Sequence, residues 1–152
     1  LGTSMSAFVG QNTGAKNVAR AEAAYKSSRN MSLILTVAGL VLLFPVRREI
    51  VGVMSTDKET VRAAMEYVVV VLLTLPGLAF YQNYMGFFNG SGNTKLSLYM
   101  TFAWIWLFRI PLLLSFNRWT SFGRAGVWYA MAVSNIAVTF VGRLLLRRVK
   151  YE

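Results

Sequence analysis

The chain has no cysteine and no histidine in its 152 residues. Disulfides, thiol nucleophiles, imidazole bases and Cys/His metal sites go with them. Acid is scarce as well: Glu22, Glu49, Asp57, Glu59, Glu66 and Glu152 complete the set. Only Glu66 borders an apolar stretch, and no two acids lie together inside one, so no carboxylate pair is available for acid–base work. With no nucleophile–base set and no metal ligands, the reading is a protein that is not an enzyme and needs no metal or cofactor.

Charge is also missing from most of the chain's length. Met31 to Val46, Tyr67 to Phe88, Leu96 to Phe116 and Ala125 to Gly142 are nearly continuous apolar runs, and Arg109 is the one formal charge among them. A hydrocarbon core of roughly 30 Å takes about 20 apolar residues in helical form. The composition agrees, at 55% hydrophobic with a mean hydropathy of +0.47. The expected fold is all-α: a polytopic helical membrane protein with spans at about 31–46, 63–88, 96–116 and 125–142.

The first nine residues, LGTSMSAFV, are small and apolar, too few to span and without a basic leader. They read as the last turns of a fifth membrane helix, which makes the chain a carboxy-terminal fragment of a larger protein. Asn17 is placed to cap a short basic helix over Val18 to Arg29, either an interfacial helix or a solvated connector. The first full span then continues about a turn past Pro45. Thr56 to Glu59 has the spacing of a capping box and starts the next helix, about Asp57 to Phe88. Pro76 leaves the carbonyl of Leu72 without its helical donor, which predicts a kink that a neighbouring helix or water must satisfy. The glycines of Asn89-Gly90-Ser91-Gly92-Asn93-Thr94-Lys95 read as turn formers rather than phosphate binders.

Sixteen Lys and Arg against six acids give a net charge of +10. The bases cluster at span ends, where they meet lipid phosphates, and no base-binding motif accompanies them; no nucleic-acid partner is implied. Lys16, Arg20, Lys26, Arg29, Lys95, Arg143, Arg147, Arg148 and Lys150 fall on one side. Arg47, Arg48, Lys58, Arg62, Arg118 and Arg124 fall on the other. The excess predicts that the first side, with the carboxyl terminus, is cytoplasmic.

Four local patterns coincide with these spans. Val9-Gly10-Gln11-Asn12-Thr13-Gly14-Ala15 closes the stub, and Gly92-Asn93-Thr94-Lys95 lies in the turn after the second span. Arg109-Ile110-Pro111-Leu112 lies in the third, and Gly123-Arg124-Ala125-Gly126-Val127-Trp128 opens the fourth. In this order and spacing they resemble the second half of the multidrug and toxic compound extrusion (MATE) transporters. The resemblance implies twelve helices in two six-helix lobes around a central cavity, with this chain supplying the end of the eighth helix and helices nine to twelve. It implies export of organic cations or amphipathic, drug-like compounds across the cell membrane in exchange for H+ or Na+, by rocking of the lobes. A sodium-coupled branch carries a carboxylate in the tenth helix. The corresponding stretch here, Leu75 to Asn83, has no acid, so the coupling-ion site is expected mainly in the amino-terminal lobe, the chain's partner. Two alternatives stand beside export: a lipid or oligosaccharide flippase of the same superfamily, against which the single intramembrane cation argues, and a non-transporting membrane subunit.

Tyr81, Gln82, Asn83, Tyr84 and Arg109 are the candidate cavity residues, with Pro76 and Pro111 as candidate hinges. Gly10, Gln11, Asn12, Gly14, Gly92, Asn93, Thr94 and Lys95 carry the family pattern. Gln82 and Asn83 suit either substrate hydrogen bonding or helix packing. Tyr81, Tyr84 and Phe88 share a face that suits cation–π contact or packing. Arg109 lies about 20 Å along its helix from Leu96. Ile105, Trp106, Leu112 and Leu113, its α-helical neighbours, are apolar, so it must snorkel, meet the Leu107 carbonyl that Pro111 frees, or pair with another helix. Ser134 and Asn135 are expected to serve packing.

Overall fold

The computed structural model describes residues 2–54, 57–119 and 124–149. The chain forms α1 (Gly2–Gly14), α2 (Val18–Met54), α3 (Lys58–Gly90), α4 (Thr94–Phe102), a π-helical segment (Ala103–Arg109), α5 (Ile110–Trp119) and α6 (Arg124–Leu146). Among the described residues, four helical rods are long and apolar enough to cross a membrane: Val18–Val53, Lys58–Gly90, Thr94–Arg118 and Ala125–Leu146. The third joins α4, the π segment and α5 into one rod.

The separate basic helix expected over Val18 to Arg29 does not exist as such. It is the first third of α2, which runs on for 37 residues and passes through Pro45 to Met54. No proline or glycine interrupts residues 18–38, and alanines favour helix, so nothing stops propagation. Nor is the segment a solvated connector: Ala21 and Tyr25 are buried, and Tyr25 packs on Tyr84 and Phe87 of α3 at 6.1 and 4.9 Å between ring centroids. At 1.5 Å per residue α2 is roughly 55 Å long, more than a bilayer core requires.

Short devices set the junctions. Lys16 takes a left-handed φ of 58°, Lys16 N donates to Thr13 O, and Asn17 N reaches back to Asn12 O at 2.8 Å. That is a Schellman termination built without a glycine at the left-handed residue. Asn17 then caps the next helix, its Oδ1 accepting from Arg20 N at 3.1 Å, as its position in the sequence predicts. At the start of α3 the capping residue is Asp57, whose carboxylate accepts from Thr60 N and Thr60 Oγ1. Thr56 lies outside the described residues.

α3 is the central wall. α1 and α2 pack on one flank and α6 on the other, with the π segment and α5 against α6; α2 makes no contact with α6 among the described residues. The α1 flank is close because α3 presents Gly86 and Gly90 four residues apart. A Cβ on Gly86 would lie 2.5 Å from Gly2 O, and one on Gly90 2.5 Å from Ser6 O. Small residues at this spacing let helix backbones approach where the bilayer offers no hydrophobic drive for association. Gly90 is therefore a packing residue at the end of the helix and not a turn former. Gly92, with φ of +76°, makes the turn. Apolar side chains such as Ile34, Val41 and Leu42 of α2 and Leu114 of α5 stand outward, 65–70% exposed, as a lipid-facing surface does.

Candidate functional site

The five candidate cavity residues do not converge. α3 carries four of them through a single turn and so distributes them around its circumference.

Gln82 and Asn83 face the α1–α2 flank, where a cleft of about 730 Å³ opens between α1, α2 and α3. Asn83 is buried and fully engaged. Its Nδ2 donates to Ala79 O at 2.8 Å and its Oδ1 accepts from Ser28 Oγ of α2 at 2.9 Å. Gln82 is exposed to the cleft, alongside Thr3, Ser6, Ser32 and Thr36. No charged residue among those described lines it. Tyr84 belongs to neither side: it is buried against Tyr25 and Phe88, and a Cβ on Gly142 of α6 would strike its ring.

Tyr81 and Arg109 meet on the opposite flank. Tyr81 packs on Trp104 with ring centroids 4.6 Å apart, and its hydroxyl is 3.3 Å from Thr101 Oγ1. Trp104 Nε1 donates to Asn135 Oδ1 at 3.1 Å, and Arg109 Nη2 donates to the same oxygen at 3.0 Å. Arg109 Nε reaches Ser134 Oγ at 3.4 Å, and the guanidinium carbon stands 4.5 Å from the Trp104 ring centroid. Arg109 therefore does have a partner on its own helix, which α-helical spacing does not show. In the π segment the bonds run five residues apart, as from Ile110 N to Ile105 O, and this brings residues 104 and 109 onto one face. Pro111 supplies the local cause, since it has no N–H and its ring crowds the carbonyl four residues back. Arg109 does not turn to the Leu107 carbonyl. It crosses to α6, and Ser134 and Asn135 are its acceptors as well as packing residues. A pocket of about 260 Å³ lies beside this cluster, between α3, the π segment and α6.

Pro76 sits within an α3 that stays helical throughout, and next to it Gly77 lets α6 approach: Thr139 Oγ1 donates to Gly77 O at 3.3 Å and to Asn135 O at 3.1 Å. The family-pattern residues gather at the end of the bundle. Gly10 and Gly14 of α1 line a cleft of about 670 Å³ with Gly92, Asn93, Thr94 and Lys95. Asn12 Nδ2 closes on Phe8 O, and Gln11 O accepts from Ala15 N. Glu66, the one acid beside an apolar stretch, faces Arg62 at 3.6 Å, with both side chains exposed.

The family model described as MatE matches residues 1–114. The chain belongs to the MatE family. It is also 26% identical over 154 residues to a protein of Bacillus subtilis (strain 168) described as "Probable multidrug resistance protein YoeA". That alignment takes in 99% of this chain and 33% of the relative, so the chain spans about a third of the length of the curated relative it matches. No solved structure matches it. The family and the apolar rods together place this chain in an integral membrane protein of the MatE family.

Proposed function

We propose that this chain forms the carboxy-terminal lobe of a secondary antiporter that exports organic cations or amphipathic, drug-like compounds in exchange for H+ or Na+. The reading is carried by the family match over residues 1–114, and the uncharged, mixed polar and apolar wall of α2 and α3 on which Gln82 is exposed agrees with it. Such a wall offers acceptors to an ammonium group and apolar contact to its substituents, and it places no cation in the way. The Bacillus relative's description as a multidrug resistance protein supports the same substrate class. No acid among the described residues lines the cleft, so the coupling ion is assigned mainly to the amino-terminal lobe, the partner that completes the cavity. The Lys/Arg excess supports a cytoplasmic carboxyl terminus in the cell membrane.

Ethidium efflux from cells expressing the full-length protein tests the proposal. Efflux should stop when both the proton and the sodium gradients are collapsed. Efflux that survives the loss of both overturns antiport, and flipping of a lipid-linked glycan by the same protein would reassign the cargo.

A further inference from the structure

The Arg109 pocket has a chemistry opposite to that of the neutral cleft. Its protein partners are Ser134 Oγ, Asn135 Oδ1 and the Trp104 ring, and all three are neutral. No acid among the described residues lines the pocket. Glu66 precedes the lining residue Tyr67, but its carboxylate is turned toward Arg62. Two of the three guanidinium nitrogens are hydrogen-bonded, and Nη1 has no acceptor among the described residues. A membrane-embedded cation with spare donors and no counter-charge favours an anion, and charge-assisted bonds from a guanidinium to a carboxylate are strong and geometrically matched.

The remaining walls describe the rest of that anion. Val70, Val71, Leu75 and Met131 are apolar, and at the end away from Trp104 the rings of Tyr67 and Trp128 stand 5.8 Å apart. At the roughly 30 Å³ that each water takes in the liquid, the volume suits a body of about nine non-hydrogen atoms. We propose that this pocket binds a small amphiphilic organic anion, its carboxylate on Arg109 and its apolar body between the α3 aliphatics and the Tyr67–Trp128 pair. The site is separate from the export cleft, on the other side of α3, and of opposite preference in charge.

The probe is octanoate, titrated against the purified full-length protein with octanol and octylammonium as controls, read by tryptophan fluorescence and by thermal shift. Octanoate should bind saturably and raise the melting temperature, whereas the two controls should not. Arg109→Gln should weaken octanoate about tenfold or more. Asn135→Asp sets a carboxylate where Oδ1 now accepts from Nη2. It should abolish the octanoate response and raise the melting temperature of the unliganded protein. Because this variant supplies the missing charge, it reports even if Arg109→Gln fails to fold. Equal responses to octanoate and octanol, or octanoate binding unchanged by either substitution, overturn the proposal. Absence of ethidium efflux by the wild-type protein with both gradients in place, with octanoate binding intact, overturns only the export reading.

Discussion

The two flanks of α3 are built by different means. On the α1–α2 flank the helices meet through Gly86 and Gly90, backbone against backbone, and the polar groups that remain are neutral and face an open cleft. On the α6 flank Gly77 and Gly142 also permit close approach, but side chains complete the contact: Trp104, Arg109, Ser134 and Asn135 form a hydrogen-bonded cluster between the π segment and α6, beside a smaller, aromatic pocket. A close glycine interface leaves no side chains to carry chemistry, so polar groups appear beside it and not within it. A side-chain interface must satisfy its own polar atoms. The pocket beside it therefore inherits the charge of whichever group lacks an opposite partner. α3 thus borders a neutral cleft on one flank and a pocket holding the Arg109 cation on the other.

The glycine flank is the easier to break. Gly86→Leu drives a side chain into Gly2 O and Met5 Cε, and the backbone oxygen cannot swing aside. A loss of about 2–3 kcal/mol is expected, typical of overpacking. It should appear in detergent melts as early unfolding or as failure to purify as a single species. A Gly86→Leu protein that melts with the wild type would mean that α1 does not pack as described.

Asn83→Leu is the next largest. It removes the acceptor of Ser28 Oγ and one link between α2 and α3, and interhelical bonds of this kind average about 0.6 kcal/mol. The melting temperature should fall slightly, and ethidium efflux should fall with it. Gln82→Leu, at an exposed cleft position, should reduce efflux at an unchanged melting temperature. If the two variants behave alike, the distinction between a packing residue and a cleft residue is lost.

Arg109→Gln should barely move stability, for a reason specific to its flank. Holding a charge in the membrane costs about 2.5–3.5 kcal/mol on insertion scales. Against this stand two interhelical hydrogen bonds at about 0.6 kcal/mol each and a partly desolvated cation–π contact of about 1–2 kcal/mol. The terms nearly cancel, so a change within about 1 kcal/mol is expected in a thermal melt. A much larger loss would make Arg109 a structural post and remove the contrast between the flanks.

What could be read from the sequence follows from how local each feature is. The spans were visible because an apolar run is a property of consecutive residues, and the Asn17 cap because capping involves only neighbours three apart. The fusion of residues 18–29 with the first span follows from the absence of any helix breaker there, a signal that the segment's basic composition obscures. Arg109's own-helix partner was invisible to α-helical spacing, since the π register that aligns it with Trp104 depends on Pro111 and on acceptors 25 and 26 residues away. The sorting of Gln82 and Arg109 onto different flanks depends on which helices pack on α3, and no local pattern states that. The Gly86–Gly90 spacing suits a close helix contact, but Gly90 also stands in a Gly/Asn-rich run that favours a turn, and only the packing of α1 separates the two.

The smallest effect is expected where the two flanks share a wall. Asp57 caps α3, and hydrogen bonds from Thr60 hold its carboxyl below the usual carboxylate range. A carboxyl whose folded value is depressed stabilises the fold above its unfolded value, and that contribution fades as pH falls through the folded one. Asp57→Ala should therefore melt slightly earlier than the wild type at neutral pH, and the gap should close in acid, below the usual Asp range. Because α3 lines both clefts, uncapping it should disturb ethidium efflux and octanoate binding by the same small factor. A variant that harms one and spares the other would show that the capped end of α3 serves a single flank.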